Sequence, residues 1–107
     1  STAQPAAAAD ACVVQSSESA DLAHGELLET RAKERKERAK AHMKFGTLAA
    51  RSGKLEKAME HYHKAIELRP DYAVAHHNAG GVCQRLHRFD DAVKHYEAAV
   101  SIKPTFV

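Results

Sequence analysis

Leu55–Pro70, LEKAMEHYHKAIELRP, and Phe89–Pro104, FDDAVKHYEAAVSIKP, are two versions of one segment set 34 residues apart. In the first, Leu55, Ala58, Met59, Tyr62, Ala65 and Ile66 stand at i, i+3, i+4, i+7, i+10 and i+11, and Phe89, Ala92, Val93, Tyr96, Ala99 and Val100 copy that spacing. A period near 3.6 predicts an amphipathic helix whose apolar stripe needs cover. Pro70 and Pro104 close the two segments. Proline has no N–H to donate and biases the preceding residue away from helix, so the chain turns at both places.

Working upstream, Ala39–Pro70 laid on Ala73–Pro104 makes ten of 32 positions identical, including Ala39/Ala73, His42/His76, Gly46/Gly80, Arg51/Arg85, Ala58/Ala92, His61/His95 and Tyr62/Tyr96. Chance does not produce that. A second apolar stripe, Ala41, Phe45, Leu48 and Ala49, is copied by Ala75, Ala79, Val82 and Cys83, with breaks at Ser52-Gly53-Lys54 and His87-Arg88. Each unit therefore reads as helix, tight turn, helix. An internal repeat of this length signals stacked supersecondary units that share one continuous core.

The pattern resembles the tetratricopeptide repeat, over residues 39–72 and 73–106. Gly46 and Gly80 fall on that family's first-helix glycine, Ala58 and Ala92 on its second-helix alanine, and Tyr62 and Tyr96 on its aromatic. Ala65 and Ala99 take the next small position, and Pro70 and Pro104 the closing proline. The departures are in the first helix: His42 and His76 stand where the family often has Trp, Phe45 and Ala79 at its Leu, Ala49 and Cys83 at its Tyr. The expected fold is all-α: a right-handed solenoid fragment of two helix-turn-helix repeats, 39–72 and 73–107, preceded by a charged helix at 19–38 and a flexible arm at 1–18.

The resemblance implies a non-catalytic scaffold or adaptor, a subunit of a larger complex, whose first helices line a concave groove for a partner peptide or helix. The groove positions carried over are Lys40, Met43, Lys44, Thr47, Ala50 and Arg51 in the first repeat, and Val74, His77, Asn78, Gly81, Gln84 and Arg85 in the second. Their basic members suit carboxylate or phosphate. Asn78 matches an Asn of the subset that clamps chaperone tails, but Met43 and Thr47 replace its first-repeat Lys and Asn, which argues against that ligand. The alternative is a regulatory or targeting domain of a larger enzyme whose catalytic part lies elsewhere.

Composition sets the outer limits. With 107 residues, 44% apolar and 28% charged, the chain fits one small unit, and its longest apolar run, Ala6–Ala9, is too short to span a bilayer. Residues 1–30 carry five acids and no Lys or Arg, residues 31–40 six bases and two acids. That basic block, RAKERKERAK, holds two glutamates and no aromatic, so it reads as a solvated helix and contact with nucleic acid is disfavoured. Glu29–Lys33 and Glu34–Arg38 are expected i,i+4 pairs on it. Cys12 and Cys83 make no framework, which favours an intracellular, cytoplasmic setting.

Neither a phosphate loop, a nucleophile elbow nor an HExxH occurs, so no catalytic residue, metal or cofactor is expected despite eight histidines. His42/His76 and His61/His95 are expected as neighbours across the repeat boundary. The start at Ser1 without Met suggests a processed protein or excised piece, and the stop after Phe106, which echoes Tyr72, suggests a third repeat cut away. Two repeats normally need neighbours. Residues 22–40 are expected to cover one end, leaving Phe89, Val93, Val100 and Ile102 open to self-association at the other.

Overall fold

A computed structural model describes residues 17–106, and their side chains from 23 to 105. Residues 1–16, with most of the expected arm, lie outside the described residues. Four α-helices follow in order: α1 Ser17–Arg51, α2 Leu55–Leu68, α3 Ala73–Arg85 and α4 Phe89–Ile102, closed by a 3-10 turn at Pro104–Phe106. Among the described residues there is no strand. The chain divides into two compact units, residues 1–33 and 34–107.

In the first unit the described chain is helical from Ser17. Leu27 and Leu28 are about half exposed, and Thr30 bonds back to the Glu26 carbonyl at 3.0 Å, as a helical threonine with no tertiary partner does. The expected Glu29–Lys33 and Glu34–Arg38 pairs do not form; among the described side chains the ion pair on α1 is Glu37–Lys40 at 3.7 Å. Exposed pairs of this kind contribute little.

The helix α1 is continuous for 35 residues, through residue 38 and into the first helix of repeat 1. With no proline and only good helix formers there, nothing in the backbone favours a turn. In the second unit Phe45 and Leu48 are 53% and 57% exposed.

The second unit holds the repeats and their core. Ala58, Met59 and Tyr62 of α2 pack with Ala79, Val82 and Cys83 of α3 and Ala92 of α4, joined by Met43, Ala49 and Ala50 from α1. A second cluster gathers Ala39, Ala65, Tyr72 and Ala75. Ala39, Ala58, Ala65, Ala75, Ala79 and Ala99 are wholly buried, so the helices meet on methyl groups and their axes come close. Larger side chains provide most of the burial energy, about 1.5–3 kcal/mol for each of Met59 and Val82.

Both first helices end alike. The Gly53 N–H bonds to the Ala50 carbonyl and the Lys54 N–H to Ala49; in the second repeat His87 bonds to Gln84 and Arg88 to Cys83. This paired pattern is the Schellman motif, which requires a left-handed residue at its turn. Gly53 supplies it at φ 80°, whereas His87 is held at φ 60°. The second helices also end alike, the Arg69 N–H reaching the Ala65 carbonyl and the Lys103 N–H the Ala99 carbonyl, both at 2.9 Å.

Candidate functional site

Between α1 and α3 runs an open surface with two adjoining hollows of about 260 and 580 Å3 that share Thr47 and Asn78. The smaller is lined by Thr47, Ala50, His77, Asn78, Gly81 and Arg85 above Tyr62 and Val82. The larger adds Met43, Lys44, Leu48 and Arg51. Nine of the residues expected on the groove are thus brought together: Met43, Lys44, Thr47, Ala50, Arg51, His77, Asn78, Gly81 and Arg85.

Three expected residues are elsewhere. Val74 packs against the Ala39–Ala65–Tyr72–Ala75 cluster. Lys40 borders a different hollow, with Glu37, Ala41, Lys44, Phe45 and Leu48. Gln84 is exposed, and its Oε1 accepts a 2.8 Å bond from the Tyr96 hydroxyl. Leu48, not expected on the groove, joins it because α1 turns that flank toward the larger hollow.

The groove floor is fixed by hydrogen bonds. Thr47 Oγ1 donates to the Met43 carbonyl at 3.0 Å, which leaves its lone pairs to accept from the Tyr62 hydroxyl at 3.1 Å. Tyr62 is 2% exposed, so its hydroxyl needs that partner. Asn78 Nδ2 points to Met43 Sδ at 3.7 Å, a weak contact. Arg85 Nη1 donates to the Ala50 carbonyl at 3.0 Å, satisfying a group near the end of α1. Repeat 2 is tied to repeat 1 again by Arg88 Nη2 and Glu56 Oε1 at 2.8 Å.

The histidines pair differently from expectation. His42 and His61 stack within repeat 1, ring centroids 5.5 Å apart and Nδ1 atoms 3.2 Å apart, while His76 meets His95 at 5.7 Å within repeat 2. The contact across the boundary is His63 with His95, at 6.0 Å. The reason is that positions 42 and 61 face each other on the two helices of one hairpin. Burial, then His61, Lys64 and Arg38, hold the His42 pKa below its usual value; burial, then His76 and His63, do the same for His95 against an opposing pull from Asp91. Among the described residues no group of three or more His, Cys, Asp or Glu is placed to hold a metal.

Cys83 lies on the core side of α3, 1% exposed, its thiol 4.0 Å from Met59 Sδ. Burial pushes its pKa up, Asp91 adds to the rise and Arg88 offsets part of it. Such a thiol is a packing group, poorly suited to nucleophilic chemistry.

A family model for the tetratricopeptide repeat matches residues 37–105. The chain belongs to the tetratricopeptide repeat family. Tetratricopeptide repeats generally mediate protein–protein interaction, and the paired glycine–tyrosine and alanine contacts of both hairpins are the packing by which this chain builds them. Among solved structures the chain is similar to the crystal structure of MamA, at 31% identity and a TM-score of 0.63 over 64% of this chain. It spans 40% of the length of MamA. No curated protein matches the sequence. Among the described residues no helix is long and apolar enough to cross a membrane.

Proposed function

We propose that this chain is a non-catalytic adaptor that holds an extended acidic peptide of a partner protein in the groove between α1 and α3. The observation that carries this reading is the convergence of Lys44, Arg51 and Asn78 on one open hollow whose other walls are Met43, Thr47 and Leu48. Ammonium and guanidinium groups answer carboxylates, the amide answers a peptide backbone, and the thioether and leucine give apolar contact for alternate side chains. An intracellular setting belongs to the same reading and rests on Cys83 being carried as a free, buried thiol.

Fluorescence anisotropy with matched extended peptides, acidic and neutral, tests it. Acidic peptides are expected to bind more tightly, with affinity that falls as salt rises and drops about tenfold or more in Lys44→Glu/Asn78→Ala. Equal binding of acidic and neutral peptides, or an unaffected variant, overturns the reading.

A further inference from the structure

The two repeats are equivalent in sequence and opposite in what they leave open. On the first helix of repeat 2, Ala75, Ala79 and Val82 are buried against repeat 1, while their counterparts Ala41, Phe45 and Leu48 on α1 are exposed. On the second helix, Met59 is 5% exposed under α3, while its counterpart Val93 is 53% exposed, and Val100 is 40%. One end of the unit therefore presents the surface that a preceding repeat covers, and the other the surface that a following repeat covers. A hollow of about 370 Å3 marks the front, around Phe45 and Leu48, and one of about 450 Å3 marks the back, around Val93, Tyr96 and Val100.

We propose that the front of one chain docks on the back of a second copy, repeating between molecules the step that joins repeat 1 to repeat 2 within the molecule. The internal interface is the template, and shifting its contacts by 34 residues gives the new one. Its ion pair, Glu56 with Arg88, becomes Asp90 of one copy with Lys54 of the next, so the opposite charges are retained although both residue types change. Its cross-boundary ring contact, His63 with His95, becomes Glu97 with His61, which replaces two like groups with a carboxylate and an imidazole. In the core, the small Ala79 shares a cluster with the large Met59; the counterparts are the large Phe45 and the smaller Val93, so bulk is exchanged across the interface.

The net charges around the two hollows agree with that pairing: Lys40, Lys44 and Glu37 border the front, where Glu37 pairs with Lys40 and Lys44 is left in excess, and Glu97 borders the back. Front and back are different surfaces, so the contact is heterologous and does not close at a dimer. The front shares Lys44 and Leu48 with the groove hollow, but Asn78, Val93, Asp90 and Lys54 each border only one of the two surfaces, so variants at these positions separate this contact from peptide binding.

Sedimentation equilibrium of the 107-residue chain over a wide concentration range is the test. The mass average is expected to climb from the 11.7 kDa monomer past the dimer. Val93→Asp, at a half-exposed position, is expected to keep the helical circular dichroism and remain monomeric. Asp90→Lys and Lys54→Asp are each expected to raise the dissociation constant about tenfold, and an equimolar mixture of the two to recover association, since alternating copies then offer opposite charges at every contact. A monomer at all concentrations, an assembly that stops at two, association untouched by Val93→Asp, or a mixture no stronger than its components overturns the proposal.

Discussion

A Cβ placed on Gly46 would stand 2.6 Å from Cε1 of Tyr62, and one on Gly80 would stand 2.8 Å from Cε1 of Tyr96. The two tyrosines lie flat against glycine backbones at the same point of each hairpin, and that contact sets how closely the paired helices approach. Their surroundings differ. Tyr62 is closed in by α3, whereas Tyr96 is half-buried on the open side of α4.

Substituting these glycines is therefore expected to have unequal results. Gly46→Ala forces a packed ring to move, an overpacking cost of about 1–3 kcal/mol that exceeds the roughly 1 kcal/mol gained in helix propensity. Gly80→Ala meets a half-buried ring held by its bond to Gln84 and its contact with His77, with solvent on its open side, and is expected to cost less than Gly46→Ala. Urea unfolding of both variants checks the order; equal destabilisation would show that Tyr96 is held as firmly as Tyr62.

The turn at His87 carries strain that the turn at Gly53 avoids. Both residues close a Schellman motif with positive φ, and a side chain there costs about 1 kcal/mol relative to glycine. His87→Gly is expected to raise the unfolding free energy by about 0.5–1 kcal/mol, and Gly53→Ala to lower it by a similar amount. Thermal melts of the two variants read this directly, and a destabilised His87→Gly would mean that its edge contact with Phe89, at 5.7 Å, outweighs the strain.

Stability is expected to fall on acidification through the histidine range. His42 and His95 both have native pKa values lowered from the usual 6.5, so below that pH the unfolded chain takes up more protons than the folded one. The loss starts as pH drops through 6.5 and is complete below the depressed native values. Denaturant midpoints measured from neutral to mildly acidic pH should show this slope, flattened in His42→Gln/His95→Gln. An unchanged slope in that variant would place the acid sensitivity elsewhere.

Cys83 is expected to resist thiol reagents in the folded chain. Its burial and raised pKa leave little accessible thiolate, so labelling should follow the opening of the α2–α3 contact and accelerate sharply in denaturant. Rapid labelling in native buffer would show that α3 leaves its seat readily.

Much of this molecule was legible in the 34-residue repeat. The helices, their turns and the apolar stripe that carries the buried alanines and Cys83 all follow from apolar spacing, because a helix of fixed period presents one stripe and has to cover it. Resemblance to the family named twelve groove positions, and nine of them line the two adjoining hollows. Val74 packs instead against the second core cluster, a placement that spacing along the helix does not distinguish from the groove edge. Arg85 gave no sign of its bond to the Ala50 carbonyl, since that partner is a backbone atom 35 positions away.

The sequence by itself determined two α-hairpins, which of their faces are apolar, and that the two are near copies. Only the tertiary structure decided that α1 runs on without a break, that the histidines meet within hairpins, and that equivalent faces are covered in one repeat and open in the other. Spacing along a chain specifies where a side chain points on its own helix. Whether anything lies opposite it depends on neighbours in space, and copies with the same spacing have different neighbours at the two ends of a stack.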